Sequence, residues 1–251
     1  MLTNAVDCTI ERRLLVNYRI DPAAVMRQLP SHFRPQLVSG WAVGGVCFIR
    51  LGGLRPAHFP SVVGMKTENV AHRFAVEWDD DQGTQVGVFI PRRDTNSRIT
   101  ALAGDRLFPG LHHLARFTVQ EHGADIRIGV ASRDGTLGLS VAAHETTSLG
   151  GELFDSLEDA VAFFRRGSLG YSASDVTDRF MGVRLESQRW DARPVTVEHM
   201  ASTMFDNTSV FPKGSCTFDF GIVMRNLTAR WQNQGTLHTH SERSAVTPIY
   251  R

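Results

Sequence analysis

The chain has 251 residues, enough for one large domain that hides roughly 75% of its unfolded surface, so it needs no disulfide or metal staples. With 42% hydrophobic and 21% charged residues, and no apolar run near the ~20 residues of a membrane span, its composition excludes membrane insertion. Twenty-seven basic residues against 26 acidic ones leave a net charge of +1, which excludes the electrostatic footprint of a nucleic-acid binder and points to a small-molecule partner.

An opening strand is expected around Leu14 to Tyr18. Asp21-Pro22 supplies an N-cap followed by proline at the first helical position, so a short helix should run from Ala23 to Leu29 and end at Pro30. Trp41 to Arg50 and Asn69 to Trp78 have the apolar pattern of strands, and the turn Asp79 to Gly83 sends the second back as a hairpin through Gln85 to Ile90. A second hairpin is predicted for His113 to Glu121 and Asp125 to Ser132 around His122-Gly123, followed by a strand over Leu137 to Ala143. Ser156 with Asp159 three residues on has capping-box spacing, and the helix it opens stops at Gly167. Strands at Pro194 to Glu198 and Thr217 to Met224 follow. Many strands at hairpin spacing with few short helices predict a mainly β, α+β fold, a barrel or sandwich. No linker or repeat divides it, so residues 1–251 are expected to form one domain.

Only Lys66 and Lys213 among the basic residues are lysines, which limits any amine chemistry to two side chains and the amino terminus. Cys8, Cys47 and Cys216 form no C-x-x-C pair, a usage that fits reduced thiols in the cytoplasm. Met1 to Asp7 lacks the basic start and apolar run of a secretory signal. No nucleotide-binding or zincin motif is present.

Chemistry concentrates in two segments. In MKTENVAHRFAVEW (Met65 to Trp78), strand alternation puts Lys66, Glu68, Val70, His72, Phe74, Val76 and Trp78 on one face. Four of the seven are apolar, so this face should look inward, with Lys66 within pairing reach of Glu68 near a barrel mouth. A structural ion pair at the rim explains these residues as well as a catalytic cluster does. A shift of one residue would turn Arg73 and Glu77 inward instead. Trp41, Phe48, Phe74, Trp78 and Phe89 are expected in the core.

The second segment is Asp94 to Phe117, DTNSRITALAGDRLFPGLHHLARF. Acetoacetate decarboxylases run from a G-x-Y-x-P strand through an alanine-rich helix to a G-R-E-x-x-G-F-P-K-K-L-A motif. Val86 to Pro91 resembles that strand, Ile99 to Ala103 that helix, and Gly104 to Ala115 that motif without a gap. Glu11 to Pro30 resembles the superfamily's opening strand and helix. Glu68-Asn69-Val70 and Ala115-Arg116-Phe117 resemble motifs of an uncharacterised bacterial branch of the same superfamily. The resemblance covers about the first 150 residues well, and it implies an acetoacetate-decarboxylase-like antiparallel β-barrel with a few peripheral short helices.

It also implies roles. In the decarboxylases the first lysine of the K-K pair forms a Schiff base and the second lowers its pKa; here His112 and His113 stand at those places. Histidine cannot form the iminium electron sink, but it can act as general acid or base or bind metal. Alternation lets only one of the two face the interior, and the alignment favours His112. Glu68 matches the family's strand glutamate, and Lys66 is the candidate for a migrated amine. Arg12 and Arg13 stand where the family has an arginine suited to a carboxylate. Arg106 lies in the motif, and with His72 completes the candidate substrate-binding set. The expected function is that of a lyase or acid-base enzyme on a small carbonyl or keto-acid metabolite, cytoplasmic, homo-oligomeric, without cofactor. A non-catalytic ligand-binding barrel and a metal site of His72, His112 and Glu68 stand as alternatives. His238-Thr239-His240 has metal-like spacing without an acidic or cysteine set nearby.

Overall fold

The computed structural model describes residues 5–57, 59–60, 64–103, 110–174 and 179–238. In chain order they form β1 (Ala5–Ile20), α1 (Pro22–Met26), β2 (Arg34–Pro35), β3 (Leu37–Val38), β4 (Trp41–Pro56), β5 (Met65–Asp80), β6 (Gly83–Thr95) and α2 (Arg98–Ala103). There follow β7 (His113–His122), β8 (Asp125–Ser132), β9 (Gly138–Glu145), α3 (Leu157–Arg166), β10 (Leu169–Ala173), β11 (Arg179–Ser187), β12 (Ala192–Ser202) and β13 (Cys216–His238). None of the described helices is long and apolar enough to cross a membrane.

Local chemistry fixes the helix ends. The Asp21 carboxylate accepts the Ala23 amide at 2.7 Å, and Pro22 fills the first turn of α1. Ser156 accepts the Asp159 amide at 3.1 Å, and α3 stops at Gly167. With Glu158 and Asp159 in its first turn and Arg165 and Arg166 in its last, α3 also suits the helix dipole.

All thirteen strands belong to one sheet, in which β6 pairs in parallel with β7 and with β10 and the other pairs are antiparallel. The mainly β fold is as expected, but the sheet is mixed and does not form the single clean antiparallel barrel that the sequence implies. Five strands lie side by side as β6-β5-β4-β1-β13, and the sheet closes from β13 back to β6 by two routes. One route passes through β12, β9, β8 and β7, completing a ring of nine strands; the other passes through β11 and β10, completing a ring of seven. The five shared strands form a wall buried on both faces.

Two hydrophobic clusters flank that wall. The larger gathers Leu14, Val16, Phe48, Val70, Phe74 and Trp78 with Ile126, Ile128 and Val141, and extends to an aromatic group of Phe33, Phe89, Tyr171 and Phe180. The smaller joins Leu15, Cys47, Ile49, Leu51 and Ala75 to Phe163 and Phe164 of α3. A register irregularity between Ile10 and Arg12 changes the alternation of β1, so Ile10 belongs to the smaller cluster and Leu14 to the larger. Phe48, Phe74, Trp78 and Phe89 are core residues as expected, whereas Trp41 is exposed, its ring lying beside the Arg19 guanidinium. Strands β10 and β11 and the second half of β13 go beyond what the sequence pattern predicts. His238 ends β13; Thr239 and His240 lie outside the described residues.

Candidate functional site

The faces of β5 lead to different interiors. Its even positions Val70, Phe74, Val76 and Trp78 enter the larger cluster, as the alternation predicts. Its odd positions Asn69, Ala71 and Arg73 line a cavity of about 90 Å³. That is several times the roughly 10–15 Å³ needed to hold one water, so there is room for a small organic molecule. Every strand of the seven-membered ring contributes: Arg13 from β1, Cys47, Ile49, Leu51 and Leu54 from β4, Arg93 and Asp94 from β6, Gly170 from β10, Val183 and Leu185 from β11, and Trp231 from β13. Phe164 of α3 and His112, just before β7, complete the lining.

Three guanidinium groups meet this largely apolar space. Arg73 is 4% exposed and donates from Nη2 to Asn17 Oδ1 at 2.5 Å, with its guanidinium carbon 4.5 Å from the centre of the Phe164 ring. Its Nε has no hydrogen-bond acceptor among the described residues, nor do Nε and Nη1 of Arg13. Arg13 lies over the Trp190 ring. Arg93 donates from Nε to the Ser172 hydroxyl at 2.8 Å. Burial pulls both Arg73 and Arg93 down to about 10. The carboxylate on the lining, Asp94, is held by both arms of Arg92, at 2.8 and 2.9 Å, and burial nevertheless raises its pKa. The cavity therefore holds an excess of positive charge.

His112 faces this excess. Its Nδ1 is 2.9 Å from the Gly110 carbonyl oxygen, which can only accept, so Nδ1 carries the proton and Nε2 is the basic nitrogen. Burial and then the Arg93 charge lower its pKa to about 3, so the ring is neutral at physiological pH. Gly110 has φ 95°, and a Cβ there would come within 2.6 Å of Ser172 Cβ. A glycine is thus needed where the chain turns between the serine that holds Arg93 and the histidine beside it.

The other residues singled out in the sequence lie elsewhere. His113 sits against Asp134, with Nδ1 3.2 Å from the carboxylate, and does not line the cavity. Lys66 is largely exposed and pairs with Glu11 at 2.6 Å, a correction to the expected pairing with Glu68. Glu68 is buried between Arg12 at 2.6 Å and Arg50 at 2.5 Å. Glu121 of β7 binds Arg12 and, at 3.1 Å, Arg225, which in turn holds Glu145 at 2.8 Å. Cross-strand register places Glu68, Arg50, Arg12 and Arg225 in one row across β5, β4, β1 and β13. Burial alone would raise the Glu121 carboxyl, but Arg12 and Arg225 hold it below its ordinary value. Arg106 lies outside the described residues. The structure brings Arg13 and His112 together and leaves Arg12, Glu68, Lys66, His72 and His113 off the cavity wall. Among the described residues no three His, Cys, Asp or Glu side chains gather as metal ligands, so the His72, His112 and Glu68 set is not assembled.

Cys47, Arg73, Arg93 and Asp94 are lining residues that the sequence reading did not select. The register alternative that turns Arg73 inward was the available signal for one of them.

His72 is fully buried beside Phe205 and Ser202, and burial followed by the Arg92 charge lowers its pKa to about 3. The unfolded histidine titrates near 6.5. Between pH 6.5 and 3 the unfolded chain binds protons that folded His72 and His112 refuse, so stability is full above 6.5 and falls as pH drops through that window. His72→Leu should reduce proton uptake on unfolding near pH 5 by about one proton. Urea melts at pH 5 and 7 measure this, and an unchanged pH slope would count against it.

A family model for uncharacterized conserved proteins, DUF2071, matches residues 8–217. The chain belongs to the DUF2071 family. This DUF2071 protein has the fold of acetoacetate-decarboxylase-like proteins. The acetoacetate decarboxylase of Legionella pneumophila superposes with a TM-score of 0.61 at 12% identity, over 95% of this chain and 88% of that one. An acetoacetate decarboxylase-like enzyme from Sphingomonas wittichii RW1 gives 0.58 at 12% identity, covering 94% and 92%. The enduracididine biosynthesis enzyme MppR complexed with pyruvate gives 0.58 at 11% identity, covering 95% and 91%. A comparison with curated protein sequences returns no match.

Proposed function

We propose that this DUF2071 protein takes a small organic acid into the arginine-lined cavity and acts on it by acid-base chemistry rather than through a Schiff base. The observation that carries the proposal is that, among the described residues, Arg13 and Arg73 have no carboxylate partner and Arg13 Nε and Nη1 and Arg73 Nε lack an acceptor. A buried guanidinium with unused donors is costly, and a carboxylate supplies both the countercharge and the missing acceptors. The complex of MppR with pyruvate, in the same fold, is in keeping with a ligand of this class.

The cavity lining contains no lysine, and Lys66 and Lys213 are both exposed. An amine adduct with a keto acid therefore has no support from this geometry. His112 is the candidate acid-base group. It is a weak base, lowered first by burial and then by the Arg93 charge, and a bound carboxylate offsets the second of these and raises its pKa. Asp94, whose pKa is raised by burial, is the second candidate for proton transfer. The reaction class this arrangement fits is proton removal or delivery next to a carbonyl.

Titration calorimetry with pyruvate and acetoacetate, set against their methyl esters, tests the proposal. The acids should saturate one site with proton uptake, and the esters should not bind. Equal affinity for acid and ester would remove the charge argument, and a borohydride-trapped adduct on Lys66 would replace the acid-base route with an amine route. A second reading, binding without turnover, is favoured by the low pKa of His112. Deuterium exchange at the carbon beside the carbonyl, followed by NMR in D₂O, separates the two.

A further inference from the structure

We infer that Cys47 is a covalent site of this cavity, a thiol that adds to small electrophilic carboxylic acids of the 2-halo or α,β-unsaturated class. The inference rests on the organic-acid reading of the cavity for its choice of electrophile.

Cys47 lines the cavity from the middle of β4. It is paired across the sheet with Ala71 of β5 and Leu15 of β1, while Arg73 faces Gly45 and Arg13 faces Ile49. Both arginines are thus diagonal neighbours of Cys47 on the same face, at roughly 7–8 Å. On the next strand, Arg93 pairs with Ala71, so the small methyl of Ala71 is what stands between it and the thiol along the row. A second observation points to a ligand at this place: Arg73 is 96% buried, and its Nε lacks an acceptor among the described residues. The same guanidinium groups that would recruit a carboxylate would hold an anionic electrophile beside the Cys47 sulfur.

The chemistry needs no oxidant or cofactor. With a 2-halo acid, the thiolate sulfur forms a bond to C2, halide leaves with the bonding pair, and the thiol proton has passed to solvent. With an α,β-unsaturated acid, sulfur bonds to the β-carbon, the π pair moves to the α-carbon, and that carbon takes up a proton, so the net change is addition of S–H across the double bond. Cys8 and Cys216 serve as internal references: both are held as thiols by burial, which raises each to about 12.

The test is alkylation of the intact protein at pH 7 with iodoacetate or iodoacetamide, followed by peptide mass mapping, alongside calorimetry with pyruvate. Iodoacetate should label Cys47 at least about tenfold faster than iodoacetamide does, reversing their usual order, through local enrichment of the anion. Pyruvate should protect Cys47, and Arg73→Met should abolish the preference. An unlabelled Cys47, or one that prefers iodoacetamide, overturns the inference. If pyruvate binds while Cys47 resists iodoacetate, the cysteine assignment fails and the organic-acid reading survives. If iodoacetate selects Cys47 while pyruvate and acetoacetate do not bind, the cysteine assignment stands and the keto-acid reading fails.

Discussion

Arg73→Met raises the melting temperature of the ligand-free protein and weakens carboxylate binding. The two effects have one origin. Arg73 is buried, with a pKa pulled down to about 10, and its charge faces no carboxylate partner among the described residues. A methionine of similar length keeps contact with Phe164 without the desolvation cost, and replacing a buried charge with an apolar side chain stabilises by about 1–3 kcal/mol, or roughly 2–12 °C here. Loss of the Asn17 contact offsets part of this, although Asn17 still donates to the Leu15 and Phe220 carbonyl oxygens at 3.4 and 3.3 Å. Removing a buried, hydrogen-bonded charge partner from the ligand costs 2 kcal/mol or more in affinity, about 30-fold. Differential scanning calorimetry and titration calorimetry on the same preparation give both numbers. A variant that is less stable and still binds would show that Arg73 is a structural residue.

Glu68→Gln has the opposite signature. Glu68 neutralises Arg12, which is 1% exposed, and Arg50, so its loss leaves Glu121 as the one carboxylate facing Arg12 and Arg50 among the described residues, in the row that also holds Arg225. Breaking such a pair costs about 3–5 kcal/mol, or roughly 6–20 °C in melting temperature. Carboxylate affinity at a temperature where the variant is folded should match that of the parent protein, because Glu68 lies off the cavity wall. A fall in affinity with stability intact would return Glu68 to the site as the acid-base group that its place in the sequence first implied.

These two residues also show where the sequence was informative. The caps at Asp21 and Ser156 were legible because capping depends on neighbours two or three positions away. The even face of β5 was legible because apolar alternation is a local pattern. Alternation implies one inward face, with Arg73 inward only if the register shifts, whereas the back of β5 is also inward, as the wall of the cavity. Arg12 and Arg13 are neighbours in the chain and lie on opposite sides of that wall. Which of them meets the cavity depends on the irregularity beyond Ile10, and nothing in the residues around it announces a change of parity. Strands β10 and β11 were missed for a related reason. LGYSA is short and glycine-containing, and its parallel partner in β6 lies about eighty residues earlier, so no local hairpin signal marks it. The preference for His112 over His113 came from the resemblance, and the cavity lining includes His112 and omits His113.

A wall shared by two interiors limits how the cavity can be reshaped. Enlarging a residue of β1, β4 or β5 presses on backbone whose other side chains are already packed into the larger cluster. Helix α3 is different: its buried residues Ala160, Phe163 and Phe164 all belong to the smaller cluster, and Phe164 reaches the cavity. It is a stopper that can be recut without disturbing the vessel. Ligand size in this fold can therefore be changed most freely at Phe164, while the charge that draws the ligand in stays fixed in the wall.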